Sequence, residues 1–163
     1  MKEVLKLAPA CRCNECSNGC RFGSGMLADG DLKNIASFLK ISEEEAKEKY
    51  FEETELFSQK KLKPKLLRNG KPYGKCIFFD EKNGCTVHEV KPLQCKIAMG
   101  CKSYGEDLMS WFTVNFVVNK DDPESIRQYA QFIKNGGKVI EGAELEDLVP
   151  DKEKLRRILS YEV

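Results

Sequence analysis

Eight cysteines in 163 residues constrain this chain more than any other feature. Cys11, Cys13, Cys16 and Cys20 fall within the ten residues CRCNECSNGC. Cys76, Cys85, Cys95 and Cys101 come after a long cysteine-free insert, and a cysteine-free tail follows them. A chain of this length is expected to form one domain. It can bury roughly 68–70% of its unfolded surface, so covalent staples are not needed for folding. The 27 Lys and Arg against 26 Asp and Glu leave a net charge of +1, which gives no global argument for nucleic acid or a membrane. No apolar run approaches the roughly 18 residues of a membrane span. The stretch MKEVLKLAPACRC lacks the apolar core of a signal peptide. The expected location is cytoplasmic, where thiols stay reduced and clustered cysteines point to metal or redox chemistry rather than to disulfides.

The insert reads first as helix. DGDLKNIASFLKI sets Leu32, Ile35, Ala36 and Leu39 on one face, with Asp29 or Asp31 as the expected N-cap. ISEEEAKEKYF opens on a capping box, Ser42 with Glu45, and Ile41 ahead of it as a staple. The run SQKKLKPKLLRNGKPYGK carries seven cations and no acid; its prolines and glycines predict extended and turn structure. CIFFDEKNGCTVHEV predicts two short strands about a turn at Asn83-Gly84. KPLQCKIAMGCKSYGEDL predicts a turn and a short helix. WFTVNFVVN, aromatic and β-branched, predicts a strand. DDPESIRQYAQFIKNGG predicts a helix capped by Asp122, opened by Pro123 and ended by Gly136 or Gly137, with Ile126, Tyr129, Ala130 and Ile133 inward. KVI reads as a short strand, and a last helix covers about 150–160. The expected fold is a small single α+β domain over 1–163, short hairpins and several helices organised around cysteine-rich loops. Within it, 11–101 is a metal-binding region and 102–163 a strand–helix–helix part.

A soft metal centre needs several thiolates converging on one point. Zinc takes four at about 2.3 Å in a tetrahedron, and iron–sulfur clusters also take four. Cys13-x2-Cys16 reads as a ligand turn and Cys20 follows it, with Asn18-Gly19 and Gly23-Ser24-Gly25 letting the backbone wrap closely. Cys76 and Cys85 flank the predicted hairpin turn, and Cys95 and Cys101 lie on the next segment. Zinc sites usually pair two tight knuckles. One knuckle and one widely spaced group favour a cluster, although the bacterial ferredoxin run is not matched.

CNECSNGCRFGSGML, then helices, then GKCIFFDEKNGCTVHEVKPLQCKIA resembles the YkgJ-type cysteine-cluster family, a zinc- or iron-chelating domain. Cys13, Cys16 and Cys20 fall on its first motif. Cys76 with Phe78, Gly84-Cys85 with Val87-His88, and Lys91-Pro92 with Cys95-Lys96 fall on the later ones. The chain departs from the pattern at Gly19, where a cysteine is expected; Cys11 and Cys101 are additional. The resemblance implies a metal or iron–sulfur site, with Cys11 or Cys101 standing in for the missing thiol. It implies no single reaction, although the family includes flagellin lysine N-methylases.

All eight cysteines are therefore candidate ligands, for one or two [4Fe-4S] clusters or, alternatively, for zinc. The functional expectation is electron transfer, or a redox or assembly role within a larger enzyme system. The alternatives are a structural zinc module and a methyl-transfer accessory. A protein partner is expected, docking on the basic segment 60–75; that segment also reads as an ordinary solvated loop. Nucleic acid and membrane are not expected partners, and no helix-turn-helix or RNP pattern appears. His88, the single histidine, sits in the second cysteine group as a candidate ligand or proton carrier; the resemblance puts it at the family's tyrosine position, which implies a packing or hydrogen-bonding role instead. Trp111, Phe112 and Phe116 read as sheet core. No nucleotide-binding loop or nucleophile elbow is present, so no catalytic residue is assigned.

Overall fold

The computed structural model describes residues 2–9 and 11–163. Helices and short antiparallel strand pairs make an α+β architecture, divided into two compact units. The first comprises Met1–Thr54 and Lys61–Gly105, the second Glu55–Lys60 and Glu106–Val163. All eight cysteines belong to the first unit.

In the first unit, α1 is Lys2–Leu7, α2 Asn14–Phe22, α3 Asp31–Leu39 and α4 Glu43–Tyr50. The stripe read on α3 is inward: Ile35 and Ala36 are buried, with Leu32 and Leu39 packed at the edge. Its cap differs from expectation. The N-cap is Gly30 at φ +85°, a left-handed backbone that glycine tolerates. Asp31 is the first helical residue, and Asp29 does not cap. That reversal aims the Asp31 carboxylate back to the Ala28 amide and across to the Leu93 amide, each 2.8 Å away. At α4, Ser42 Oγ accepts from the Glu45 amide as expected.

Strand β1 (Phe51–Leu56) pairs with β2 (Gln59–Pro64). Strand β3 (Leu66–Leu67) pairs with β4 (Lys75–Cys76), Leu66 opposite Cys76. Strand β5 (Phe79–Asp80) pairs with β6 (Gly84–Cys85), Phe79 opposite Cys85. The predicted hairpin is present as β5–β6, but it turns over residues 81–83 with Gly84 already in β6, and Cys76, expected to flank the turn, instead pairs with β3 on β4. Asp80 Oδ1 takes the Lys82 and Asn83 amides, and Gly84 supplies φ +75°. A 3-10 turn, His88–Val90, leads to α5, Leu93–Ile97. The core of this unit joins Leu27, Ile35, Ala46, Phe51, Phe78, Phe79 and Val87 to the buried Cys76.

The tail departs further from expectation. WFTVNFVVN is not a strand. Helix α6 (Gly105–Phe112) runs into a π turn, Thr113–Val117, closed by the Val118 amide on the Thr113 carbonyl. Helical spacing brings the Phe116 ring to 5.5 Å from Trp111 and 5.1 Å from Phe112, so aromatic packing overrides the strand preference of these residues. Lys138–Ile140 also forms no strand. The part read as strand–helix–helix is helical wherever it is regular. Helix α7 (Pro123–Lys134) follows expectation: Asp122 accepts from the Glu124 amide, Ile126 and Tyr129 are buried, and Gly136 has φ +88° just beyond its end. After it come α8 (Leu145–Leu148) and α9 (Lys152–Leu159). Ile126, Val149, Leu155 and Ile158 form this unit's core. No helix among the described residues is long and apolar enough to cross a membrane.

Candidate metal centre

The stretch read as a ligand turn is the start of a helix. Cys13 occupies the N-cap of α2, Cys16 lies in its first turn, and Cys20 follows one turn later. A step of four residues keeps Cys16 and Cys20 on one side of the helix, yet the two thiols go to different places.

Cys16 joins Cys11, Cys13 and Cys101. The four sulfurs all lie within 4.8 Å of one another. Cys101 Sγ is 3.3 Å from Cys16 Sγ and 3.8 Å from Cys11 Sγ. Two devices bring Cys101 here across 90 residues of chain. Gly100 has no side chain to hold it off: a Cβ there would stand 3.2 Å from the Glu15 carbonyl. Tyr104 donates its hydroxyl to the Leu7 carbonyl at 2.7 Å, holding the N-terminal arm to the same loop. Cys101 is exposed, its three partners are half-buried, and the group borders an open depression of about 680 Å³ lined also by Glu15, Met99 and Lys102. The Cys11 thiol is lowered to about 7, first by the facing Cys13 amide and then by the neighbouring thiols.

Cys20 turns instead toward Cys76, Cys85 and Cys95. Helix α2 packs on both β4 and β6, the strands that end in Cys76 and Cys85. Cys20 and Cys85 lie at the edge of the core cluster that contains Cys76. Gly25 admits Cys95, since a Cβ at Gly25 would stand 2.7 Å from the Cys95 sulfur. The Cys95 loop is tied down by Asp31 on the Leu93 amide and by Gln94 Oε1, which accepts from the Met26 amide at 2.5 Å. Every pair among these four thiols is close enough for like-charge repulsion. Burial is the first cause of their raised pKa values, with Cys76 and Cys95 pushed up to about 12. Backbone amides of Phe78, Val87 and Gly25 face Cys76, Cys85 and Cys95 and oppose that rise. Lys91 and Arg21 do the same at Cys20, and Lys91 and Arg12 at Cys85. Among the described residues, only the first quartet has all its sulfurs within 4.8 Å of one another, so the second is set wider.

A family model described as “Putative zinc- or iron-chelating domain”, carrying the motif CxxCxxCC, matches residues 12–116. The chain belongs to this family. No curated protein and no solved structure matches it. Metal binding by the cysteine cluster follows from the family together with the tight quartet. The family's thiols are split between the quartets: Cys13 and Cys16 go to one, Cys20, Cys76, Cys85 and Cys95 to the other. Gly19, where the family expects a thiol, is exposed on α2 with nothing near its Cβ direction.

His88 sits in the 3-10 turn beside Lys91 and Arg12. Its pKa is lowered, first by burial and then by those cations. Within the basic segment, Lys63 and Arg68 both pair with Glu52, and Lys65 donates to the Glu48 carbonyl. Sequence reasoning overlooked Asp31, Gln94, Gly100, Arg12 and Lys91 as supports of the thiols. The GSG run at 23–25 was the one legible signal of that kind.

Proposed function

We propose that this chain is an iron–sulfur protein serving electron transfer, with Cys20, Cys76, Cys85 and Cys95 as ligands of a [4Fe-4S] cluster. The observation that carries the reading is that thiols from four separate segments meet at the edge of the first unit's core, wider apart than a single ion needs. A four-iron cage binds each thiolate to a different iron and so holds them further apart than one ion does. When bound, such a cluster supplies one-electron chemistry. The residues around it have defined tasks. The Phe78, Val87 and Gly25 amides face sulfur and stabilise its negative charge. Lys91, Arg12 and Arg21 offset the charge of four thiolates at the edge of an apolar core. Phe78, Phe79 and Val87 exclude water from that side. Electrons would be exchanged with a protein partner that docks on the basic segment 60–75, where Lys71 remains exposed.

Anaerobic reconstitution with iron and sulfide tests this. Iron and acid-labile sulfide should bind in equal amounts, with broad visible absorption that bleaches on reduction. Colourless protein free of iron and sulfide would overturn it. A zinc reading is favoured by a different observation, the compactness of the other quartet.

A further inference from the structure

Cys11 precedes the residues that the family model matches, and Cys101 lies within them but far from the CxxCxxCC run, yet the structure brings both to Cys13 and Cys16. A zinc–sulfur bond of about 2.3 Å sets tetrahedral sulfurs about 3.8 Å apart. The separations of 3.3 and 3.8 Å, with all four sulfurs inside 4.8 Å, match one ion and are too close for a four-iron cage. We infer that Cys11, Cys13, Cys16 and Cys101 form a separate site for a single zinc ion, which clips the N-terminal arm to the loop after α5.

The geometry explains why the family's missing thiol at Gly19 leaves no gap here. One thiol from the arm and one from the 99–101 loop complete a quartet that α2 alone supplies only in part. Binding would exchange the thiol protons to solvent for four zinc–sulfur bonds. The ion would tie residue 11 to residue 101, reinforcing the hydrogen bond from Tyr104 to the Leu7 carbonyl. With Cys101 exposed and the site on an open depression, the metal is reachable by chelators. This inference goes beyond the cluster reading and does not rest on it: neither site shares a ligand with the other.

The test uses the full chain with zinc, and with cobalt as its spectroscopic stand-in. The wild type should bind one zinc in addition to any iron. Cobalt should give the intense visible bands and sulfur-to-metal charge transfer of a tetrahedral thiolate site. Zinc should slow alkylation of these four thiols by about tenfold or more, and slow tryptic cleavage at Lys6 and Arg12 in the arm. The C11S/C101S double variant, which changes the two ligands outside the CxxCxxCC run, should lose this zinc and the cobalt spectrum while keeping its iron and sulfide. Zinc retained at the wild-type level in C11S/C101S would overturn the inference. So would wild-type protein whose four thiols are alkylated equally fast with and without zinc, which needs no variant to fold. Wild-type protein that binds this zinc but takes up no iron or sulfide would sink the cluster reading alone.

Discussion

The two cysteine quartets are built from the same helix and differ in almost everything else. Cys16 and Cys20 stand one turn apart on α2. One enters a tight group at the rim of an open depression. The other enters a wider group at the edge of an apolar core. At the rim, thiol and amide contacts set the acidity of Cys11; at the core, burial comes first for every thiol. The lesson concerns support. The core quartet is held by the hydrophobic cluster, the hairpins and two buried polar side chains, Asp31 and Gln94. The rim quartet is held mainly by a glycine and one tyrosine hydroxyl. Damage to the first should therefore spread through the unit, and damage to the second should remain local.

The largest expected effect is at Gly25. A Cβ there meets the Cys95 sulfur at 2.7 Å, the Cys95 nitrogen at 3.0 Å and Gln94 Cβ at 3.2 Å. Two of these are backbone or ligand atoms, which cannot swing away cheaply. Gly25→Ala should abolish iron and sulfide uptake while zinc uptake by the rim quartet persists. Metal analysis of the reconstituted variant decides it. Equal loss at both sites would mean that the quartets depend on one another.

Next comes Asp31→Ala. It leaves the buried Leu93 amide and the Ala28 amide without their acceptor, at about 1–3 kcal/mol for an orphaned buried group. For a chain of this size that is a fall in Tm of roughly 2–4 °C per kcal/mol. Thermal unfolding should show the drop, and iron content should fall because the Cys95 loop loses a tie. Asp31→Asn, which keeps an acceptor oxygen, should recover most of both.

How much of this was legible in the sequence varies with the range of the cause. Local chemistry was readable. Asp122 and Pro123 start α7, Ser42 caps α4, and the hairpin at residues 79–85 follows from its turn residues. The family motifs were readable too, because they are short and ordered. The helix over residues 105–117 was not, since its aromatics satisfy strand preference and their pairing across turns appears only once folded. The cap of α3 was misread because the Asp31 carboxylate serves Leu93, 62 residues away. The sorting of thiols was hidden for the same reason: spacing suggests Cys13, Cys16 and Cys20 as one unit, whereas the partner of Cys16 is Cys101, 85 residues on.

The acidities of Cys11 and Cys95 give a third, purely chemical, contrast in the metal-free chain. With its thiol lowered to about 7, Cys11 is roughly half thiolate at neutral pH and is the reactive form. Cys95, pushed up to about 12, has almost none. Brief iodoacetamide treatment read by mass spectrometry should label Cys11 first. Its rate should climb as pH rises through about 7 and then level, while Cys95 stays unlabelled through mildly alkaline pH. Simultaneous labelling of the two would erase the distinction between Cys11 and Cys95; within the rim Cys11 stands alone, because Cys13, despite the facing Cys16 amide, is pushed up to about 12 by the Glu15 carboxylate and Cys11, and Cys101 is raised first by Cys16.

The smallest effect belongs to Gly19, where the family has a thiol and this chain does not. It lies inside α2, exposed, and a Cβ there meets nothing within 4 Å. Glycine in a helix interior costs roughly 0.5–1 kcal/mol relative to alanine. Gly19→Ala should thus raise Tm by a few degrees at most and leave the metal content of both quartets unchanged, because each already has four thiols without it. Gly19→Cys sharpens the same point. If the added thiol is alkylated freely while zinc protects Cys11, Cys13, Cys16 and Cys101, the rim quartet is complete as it stands. If zinc protects residue 19 and releases Cys11 or Cys101, the family's own arrangement competes with the one this chain has adopted.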